Sequence, residues 1–262
     1  VVLTPALAFD APLIGEFWAL GPECDYRLQC EWAPQTSMVN VAGLPAIAVP
    51  VSADERGLPR GVQLIGRKGS ETQLLQLAVQ LLGEYGDDAK ILAGGQSLVP
   101  MLAMRLAFFD NLIDISRLDE IRGIRRDGDE LWIGGGTTHA TVGADEQVRS
   151  AVPLLTRATP FIGHFQIRSR GTLGGSIAHA DPAAEYPAVA MALDAEMEAL
   201  SRSGVRRIPA ADFFSGVWET TMAPDEVLVG VRFPVWSGRC GFAVREFARR
   251  HGDFAIAGAV VA

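Results

Sequence analysis

The stretch TLGGSIAHADPAAE, from Thr172 to Glu185, decides how this 262-residue chain is interpreted. It combines a glycine pair, small residues, a proline and two carboxylates, and the apolar run Pro187–Leu193 follows it. Glycines beside Thr and Ser allow a backbone to approach a bulky ligand closely, with N–H groups and hydroxyls left to donate. The composition of this stretch therefore predicts a ligand-binding loop.

A second glycine pair lies upstream, in the run ILAGGQSL from Ile91 to Leu98. A predicted apolar strand runs into the two glycines, and a helix is predicted to start directly after them. Successive backbone N–H groups near a helix start can hold an anion, and the helix dipole adds a favourable field. A tight strand-to-helix turn also requires glycines, so a purely structural interpretation stays open. Together the two stretches predict that one phosphate-bearing ligand is held from two sides, with one glycine pair on each side.

The two carboxylates of the central stretch have separate interpretations. Glu185 is a candidate acceptor for ribose hydroxyls. Asp181 is a candidate N-cap, with Pro182 in the first position of the following helix. Both interpretations can hold together, because one carboxylate can cap a helix while the other faces a ligand.

Composition and charge exclude several classes of function. The hydrophobic fraction of 48% and the charged fraction of 21% are those of a globular protein. A formal net charge of −8, without a run of Lys or Arg, argues against nucleic-acid binding. No apolar run reaches the roughly 18 residues that a membrane span requires. The chain is therefore expected to bind neither nucleic acid nor the membrane interior.

The cysteines and histidines do not indicate a metal site. Three cysteines (Cys24, Cys30 and Cys240) are an odd number in a long chain, which favours reduced thiols and a cytoplasmic protein. The histidines at 139, 164, 179 and 251 lack ligand spacing, and structural or surface roles are expected for them. Only His179 is suspected of a function, because it lies in the central stretch.

Hydrophobic periodicity predicts a mixture of helices and strands. Strands are predicted at Leu44–Val51, Gly61–Gly66, Ala89–Ala93, Asn111–Ile115, Leu131–Ile133, Glu196–Ser201, Gly204–Ile208, Glu226–Phe233, Gly241–Phe247 and Phe254–Ala262. Helices are predicted at Glu71–Leu82, Ser97–Leu106, Val152–Phe161 and Ala183–Leu193. This alternation is typical of an α/β or α+β protein.

Residues 1–82 resemble the C-terminal part of the amidase signature family. The resemblance rests on NVAGLPA (Asn40–Ala46) and on GLPRGVQLIG (Gly57–Gly66), and it implies a partial α/β segment. That family works with a Lys–Ser–Ser triad in a Gly/Ser-rich stretch that precedes this part. No such stretch is found here and Ser37 does not replace it, so amidase activity is not expected. An amidohydrolase fragment remains the alternative function.

Residues 84–262 resemble the FAD-binding medium subunit of the molybdenum hydroxylases, nearest to the aerobic carbon monoxide dehydrogenase type. The matching pieces, in chain order, are Ala93–Arg105, Leu112–Leu118, Ile167–Gly171, Thr172–Glu185, Ile208–Phe214 and Phe247–Ala255. The resemblance implies an α+β fold of the vanillyl-alcohol-oxidase (PCMH) type, with FAD between two α/β subdomains.

The resemblance also implies the positions of the cofactor contacts. Ala93–Leu98 and Thr172–Ser176 are expected to wrap the FAD pyrophosphate, Glu185 to lie near the adenosine ribose, and Leu228 and Arg245 to lie beside the flavin. The FAD-binding residues predicted in this way are Ile91, Leu92, Ala93, Gly94, Gly95, Gln96, Ser97, Leu98, Thr172, Leu173, Gly174, Gly175, Ser176, Glu185, Leu228 and Arg245. No catalytic side chain and no metal ligand is predicted.

Three segments are expected along the chain. They are an amidase-like segment (1–83), a PCMH-type FAD-binding domain (84–235) and the start of a truncated C-terminal domain (236–262). The first strand of the FAD-binding domain is expected to be missing, with the helix Glu71–Leu82 standing in for its helix. A genuine fusion and an assembly artefact both remain open.

The function implied by the resemblance is electron transfer. FAD would take electrons from iron–sulfur clusters of a small subunit and pass them to an acceptor, while substrate oxidation occurs on a molybdopterin-containing large subunit. A non-functional chimera that cannot hold flavin is the third possibility.

Overall fold

The computed structural model describes residues 2–5, 27, 39, 42, 44–53 and 59–262. The features predicted at Cys24, Cys30 and Ser37 lie outside the described residues. The chain forms two compact units, here called unit 1 (residues 1–91 and 109–118) and unit 2 (residues 92–108 and 119–262). The segment boundaries at 83/84 and 235/236 stay predictions.

Unit 1 contains a five-stranded sheet. Its strands are β1 (Val2–Pro5), β2 (Ala46–Ala53), β3 (Pro59–Ile65), β4 (Ala89–Leu92) and β5 (Asn111–Asp114), in the order β1-β3-β2-β5-β4. Strand β3 pairs antiparallel with β1 and with β2, and β2 also pairs antiparallel with β5. Helix α1 (Glu71–Tyr85) packs against β2 and β5. Its buried side chains Leu74, Ala78 and Leu82 recur every four residues, as the sequence predicts for one helix face.

Unit 2 is built on a second five-stranded sheet, which is antiparallel throughout. Its strands are β6 (Ile124–Asp127), β7 (Glu130–Gly134), β8 (Glu196–Ser201), β9 (Gly204–Pro209) and β12 (Val227–Pro234), in the order β6-β7-β12-β8-β9. Two strand pairs lie outside this sheet: β10 (Phe214–Gly216) with β11 (Glu219–Thr220), and β13 (Ala243–Phe247) with β14 (Ala257–Val261). The helices are α2 (Leu98–Ala103), α3 (His139–Ala144), α4 (Glu146–Ala151), α5 (Pro153–Ala158), α6 (Phe165–Arg168), α7 (Leu173–His179), α8 (Glu185–Ala192) and α9 (Ala210–Phe213).

The core of unit 2 lies on one face of this sheet. Ile133, Met197 and Val231 from three adjacent strands are fully buried, and they share one hydrophobic cluster with Leu154 of α5 and Val189 of α8. Burial of each such side chain stabilises the fold by roughly 1.5–3 kcal/mol. The helices that carry the candidate site are therefore anchored to the sheet through one continuous core.

The opposite face of the sheet is polar and tied together by a buried ion pair. The guanidinium of Arg232 donates from Nε to Oε1 of Glu198 over 2.5 Å, and Nε1 of Trp132 donates to the other carboxylate oxygen over 2.8 Å. The Arg125 guanidinium lies 3.6 Å from the centre of the Trp132 ring. A Cβ at Gly230 would lie 2.3 Å from Nε1 of Trp132, so the glycine makes room for the indole. Each buried charge is thus hydrogen-bonded, as burial requires.

The predicted strands and helices are all present, with ends that differ by a few residues. The helix predicted at Ser97–Leu106 is four residues shorter than expected and ends at Ala103. The backbone of Arg105 turns left-handed (φ 57°) there, and the amide of Leu106 donates back to the carbonyl of Met101. Among the described residues, no helix has both the length and the apolar character needed to cross a membrane.

Candidate functional site

The central stretch of the sequence is a short helix with a turn after it, rather than the loop that was expected. The Thr172 hydroxyl caps helix α7 by accepting from the amide of Gly175 over 3.1 Å. Leu173 and Ile177 are fully buried in the core, and they hold this helix in place. The helix ends at Ala180, whose backbone is left-handed (φ 51°, ψ 38°). The segment Gly171–Ser176, which leads into this helix and forms its first turn, is called the second glycine loop below.

Glycine is required here because three backbones are stacked in contact. The amide of Gly174 donates to the carbonyl of Gly135, and the amide of Gly135 donates to the carbonyl of Val229, each over 2.9 Å. A Cβ at Gly174 would lie 2.7 Å from the Gly135 Cα, and one at Gly135 would lie 2.4 Å from the Leu228 carbonyl oxygen. Leu228 therefore lies two backbone layers from the second glycine loop, at an irregularity in β12.

The other glycine pair lies against the second glycine loop. The residues Ala93–Leu98, called the first glycine loop, follow strand β4, which contains Ile91 and Leu92. A Cβ at Gly94 would lie 2.3 Å from the carbonyl oxygen of Arg170 and 2.7 Å from the Cα of Gly171. A Cβ at Gly175 would lie 3.7 Å from that of Ala93. The two glycine loops are thus adjacent within unit 2, which is required if both are to contact the same ligand.

The segment Thr137–His139, at the start of helix α3, holds the second glycine loop from its other side. Thr138 and Thr172 form an antiparallel bridge. The amide of His139 donates to the carbonyl of Gly171, and the amide of Leu173 donates to the carbonyl of Thr137, each over 2.9 Å. These bonds fix the backbone of the loop independently of any ligand.

His139 is a residue of this site that the sequence did not reveal. Its imidazole is buried, and a Cβ at Gly171 would lie 2.7 Å from its Cδ2 atom. The ring centre lies 5.0 Å from that of Tyr186, and Nδ1 has no hydrogen-bond partner among the described residues. Burial, with a smaller contribution from the positive charge of Arg168, lowers the pKa of His139 to about 4. His139 is therefore a neutral ring wedged between the second glycine loop and the start of α8.

His179, the histidine that the sequence singled out, ends helix α7 and is only half-buried. No local sequence pattern indicated that His139 belongs to the site, and only its contacts in the folded chain show it. Its burial beneath Gly171 depends on two segments more than thirty residues apart.

Asp181 does not cap the following helix as its spacing suggested. Helix α8 begins at Glu185 with Ala184 as its N-cap, and Ala184 has no capping side chain. The Asp181 carboxylate instead accepts from the amide of Ala183 over 2.8 Å. The N-cap prediction is wrong because Pro182–Ala184 form a separate turn, so the helix starts three residues later than a cap at Asp181 requires.

Glu185 combines burial with two acidic neighbours. Burial, with smaller contributions from the carboxylates of Glu246 and Asp181, raises the pKa of its carboxyl to about 7. Burial also raises the pKa of Glu246, which lies on β13. Near neutral pH the Glu185 carboxyl therefore exchanges between a donor form and an acceptor form, and either form can bond a hydroxyl.

The stability of the flavin-free chain should consequently depend on Glu185 in a defined pH window. The folded pKa is raised from 4.5 to about 7, so the folded state binds more protons between these values and loses stability as the pH rises through them. We expect Glu185→Gln to match the wild-type melting temperature near pH 4.5 and to exceed it at pH 8. Thermal unfolding across this range measures the difference.

The matched control is Glu84→Gln, at an exposed carboxylate on α1. It should change the melting temperature little, because substitutions at exposed positions have small effects on stability. A Glu185→Gln curve that runs parallel to the wild-type curve would contradict the raised pKa.

Arg245, predicted to lie beside the flavin, is exposed on β13. Its guanidinium donates to the carbonyl of Val244 over 3.0 Å. Among the described residues it bonds to neither glycine loop. The structure thus brings the two loops together, but it does not bring Arg245 to them.

The arrangement of donors at the loops fits a pyrophosphate. The four successive backbone N–H groups of residues 94–97 donate to no acceptor in the described part of the chain. The hydroxyls of Ser97 and Ser176 have no described partner either. A Cβ at Gly94 or Gly174 would strike neighbouring backbone, so glycine at these positions keeps the loops in this close arrangement. These amides and hydroxyls are the groups that the FAD pyrophosphate needs.

Comparison with known proteins agrees with this geometry. Residues 70–236 match the family described as the FAD binding domain in molybdopterin dehydrogenase, and residues 1–75 match the amidase family. The chain is 44% identical, over 70% of its length, to the 6-hydroxypseudooxynicotine dehydrogenase complex subunit alpha of Paenarthrobacter nicotinovorans, and it covers 62% of that protein. It is 41% identical to the carbon monoxide dehydrogenase medium chain of Hydrogenophaga pseudoflava, over 70% of this chain and 64% of that one.

The solved structure of carbon monoxide dehydrogenase from Hydrogenophaga pseudoflava matches with a TM-score of 0.69 at 41% identity. The match covers 71% of this chain and 64% of that one. The chain thus spans less than two thirds of the length of these relatives. The predicted resemblances, the α+β fold class and FAD as the cofactor are confirmed, and the relatives are named as dehydrogenase subunits, as the oxidoreductase prediction requires. This chain belongs to the family of FAD-binding domains of the molybdopterin dehydrogenases.

Proposed function

We propose that unit 2 holds FAD between the two glycine loops and that the chain works as the electron-transfer flavin subunit of a molybdenum hydroxylase of the carbon monoxide dehydrogenase type. The observation that carries this proposal is the direct contact of the loops at Gly94 and Gly171, with four successive amides beside it that have no described acceptor. The family match over residues 70–236 supports the same cofactor.

Each part of the site has a distinct role in this proposal. The amides of residues 94–97, with Ser97 and Ser176, bind the pyrophosphate, while the apolar Ile91, Leu92, Leu98 and Leu173 secure the backbone on either side. Glu185 bonds the adenosine ribose, and Leu228 and Arg245 lie beside the flavin. When bound, FAD supplies the redox chemistry by taking electrons from partner iron–sulfur clusters and passing them to an acceptor. The chain itself binds FAD, orients it and sets the charge around it. No side chain acts as a general base.

The proposed partners are an iron–sulfur small subunit and a molybdopterin-containing large subunit. Two relatives are named as a subunit of a dehydrogenase complex and as the medium chain of a dehydrogenase, which supports a multi-subunit assembly. The cytoplasmic location predicted from the cysteines is part of the same proposal, and the unpaired, exposed thiol of Cys240 agrees with it.

The visible absorption spectrum of the purified chain tests the proposal directly. We expect a flavin spectrum, and we expect denaturation to release FAD rather than FMN or riboflavin, since the two loops and Glu185 hold the adenosine diphosphate half. If the chain is colourless as purified, it should take up added FAD and quench its fluorescence. A colourless chain that also fails to bind added FAD would overturn the proposal and favour the non-functional chimera.

A further inference from the structure

The sheet of unit 1 takes its strands from both matched families. Strands β2 and β3 lie within the amidase match (residues 1–75), whereas β4 and β5 lie only within the FAD-binding match (residues 70–236). The two groups meet where β2 pairs antiparallel with β5, with Ala48 opposite Asp114. The order β1-β3-β2-β5-β4 therefore joins amidase-like and flavin-family strands in one hydrogen-bonded sheet.

The side chains on the two sides of this junction are buried together under one helix. Ile47 of β2 and Ile113 of β5 are both fully buried. Helix α1 packs against both strands through its apolar face, on which Leu74 and Ala78 are at most 1% exposed. One helix thus covers a core to which both families contribute.

The chain enters this core through a short, tight connection. The amide of Gly66, just after β3, donates to the carbonyl of Pro45, just before β2, over 2.9 Å. Four residues later Ser70 precedes α1, and its hydroxyl donates to the Arg67 carbonyl over 2.7 Å. The hairpin β2–β3 and the helix are therefore held in a fixed arrangement along the chain.

The flavin-family strands could not form this sheet without the hairpin. Strands β4 and β5 would be left as a two-stranded pair with an open edge on β5, and two strands alone are at best marginally stable. The apolar face of α1 would also lose the side chains of β2 beneath it. A β-hairpin with an apolar inner face satisfies both needs, since it supplies main-chain partners and buried side chains together.

We propose that the amidase-like hairpin β2–β3 is a non-catalytic, sheet-completing element that occupies the β5 edge of the flavin-family strands. The β5 edge is thus an interaction surface, and its occupant is a strand of this same chain. This role does not depend on the proposed function, because it concerns the folding of unit 1 and the hairpin β2–β3 contains none of the predicted FAD-binding residues.

Cleaving the chain between the hairpin and α1 tests this role. The exposed turn Arg67–Gly69 can carry a recognition sequence for a site-specific protease inserted after Lys68, with Gly69 retained because its backbone is left-handed (φ 83°). After cleavage of the full-length chain, we expect the piece that ends at Lys68 to remain bound to the rest during gel filtration. Separation of the pieces, with the larger one keeping its helix content and melting temperature, would overturn the proposal.

Two substitutions make the test specific for the buried face of the sheet. Ile47→Asp places a carboxylate in the shared core, and we expect it to weaken the association of the cleaved pieces by about a hundredfold or more. The matched control is Leu3→Asp on β1 of the same sheet, where the side chain is 64% exposed. It should change the association by less than about threefold. Equal effects of the two substitutions would also overturn the proposal.

The outcome is independent of flavin. Pieces that stay together in a colourless protein would support the structural role while the proposed function fails. Pieces that separate in a protein that still binds FAD would overturn the structural role, while the proposed function would stand.

Discussion

Replacing Gly94 with alanine is expected to weaken FAD binding by about a hundredfold or more. The new Cβ would lie 2.3 Å from the carbonyl oxygen of Arg170 and 2.7 Å from the Cα of Gly171. Both obstacles are backbone atoms, which cannot rotate away as the end of a side chain can. The first glycine loop must therefore move away from the second, and the amides of residues 94–97 leave the positions from which they face the pyrophosphate.

Titration of the flavin-free protein with FAD, followed by fluorescence quenching, measures this effect. Gly241→Ala is the matched control, because a Cβ there meets nothing within 4 Å and the backbone is not left-handed. Gly175→Ala should have an intermediate effect, since its closest obstacle is the Thr172 hydroxyl at 2.8 Å, which belongs to a side chain. An affinity of Gly94→Ala equal to that of Gly241→Ala would rule out the direct apposition of the loops as the basis of binding.

His139→Ala is expected to loosen the second glycine loop and to weaken FAD binding by about tenfold or more. The imidazole separates Gly171 from Tyr186, and its removal leaves a cavity beneath the loop. The main-chain bond from residue 139 to Gly171 remains available, so the loop should become mobile rather than unfold.

Hydrogen exchange in the flavin-free protein separates this local effect from general destabilisation. The amide of Leu173, which donates to Thr137, should exchange faster in His139→Ala, while amides of the central strand β12 change little. Val148→Ala is the control, because it removes a fully buried side chain of the same core from helix α4. If it raises exchange at Leu173 and weakens FAD binding as much as His139→Ala does, the loop-positioning role of His139 is wrong.

The pH dependence of stability gives a further readout for His139. Its folded pKa is lowered from 6.5 to about 4, so the unfolded chain binds more protons between these values. Stability from this residue is present above pH 6.5 and is lost as the pH falls towards 4. We expect His139→Ala to lack this part of the acid destabilisation in a comparison of melting temperatures with the wild type.

Much of the site could be predicted from the sequence because its signals are local. Two glycine pairs beside hydroxyl residues mark positions at which the backbone has no side chain, and this feature is seen in a few adjacent residues of the sequence. The apolar periodicity of α1 and the runs of β2 and β12 likewise depend only on neighbouring residues, so these elements are found where they were predicted. The expectation that the glycine pairs form one site needed the additional assumption of a common ligand.

Other features depended on contacts between distant segments. The carboxylate of Asp181 could cap either a turn or a helix, and the choice between them is made by where α8 packs. The family pattern predicts that the first strand of the flavin domain is missing, but nothing in that pattern indicated that β2 pairs with β5. Strand pairing is set by burial of a whole face against α1, which no local window contains.

The sequence by itself indicated a mixture of helices and strands and the two glycine pairs, because both signals depend only on neighbouring residues. The resemblance to a known family implied the α+β fold and FAD as the cofactor. Only the tertiary structure decided that Gly94 touches Gly171, that His139 is a neutral buried wedge, and that Glu185 titrates near pH 7. The physical reason is that close approach and burial are properties of pairs of segments. The sequence does not distinguish an exposed histidine or glutamate from a buried one, whereas the charge of the side chain depends on the groups that pack around it.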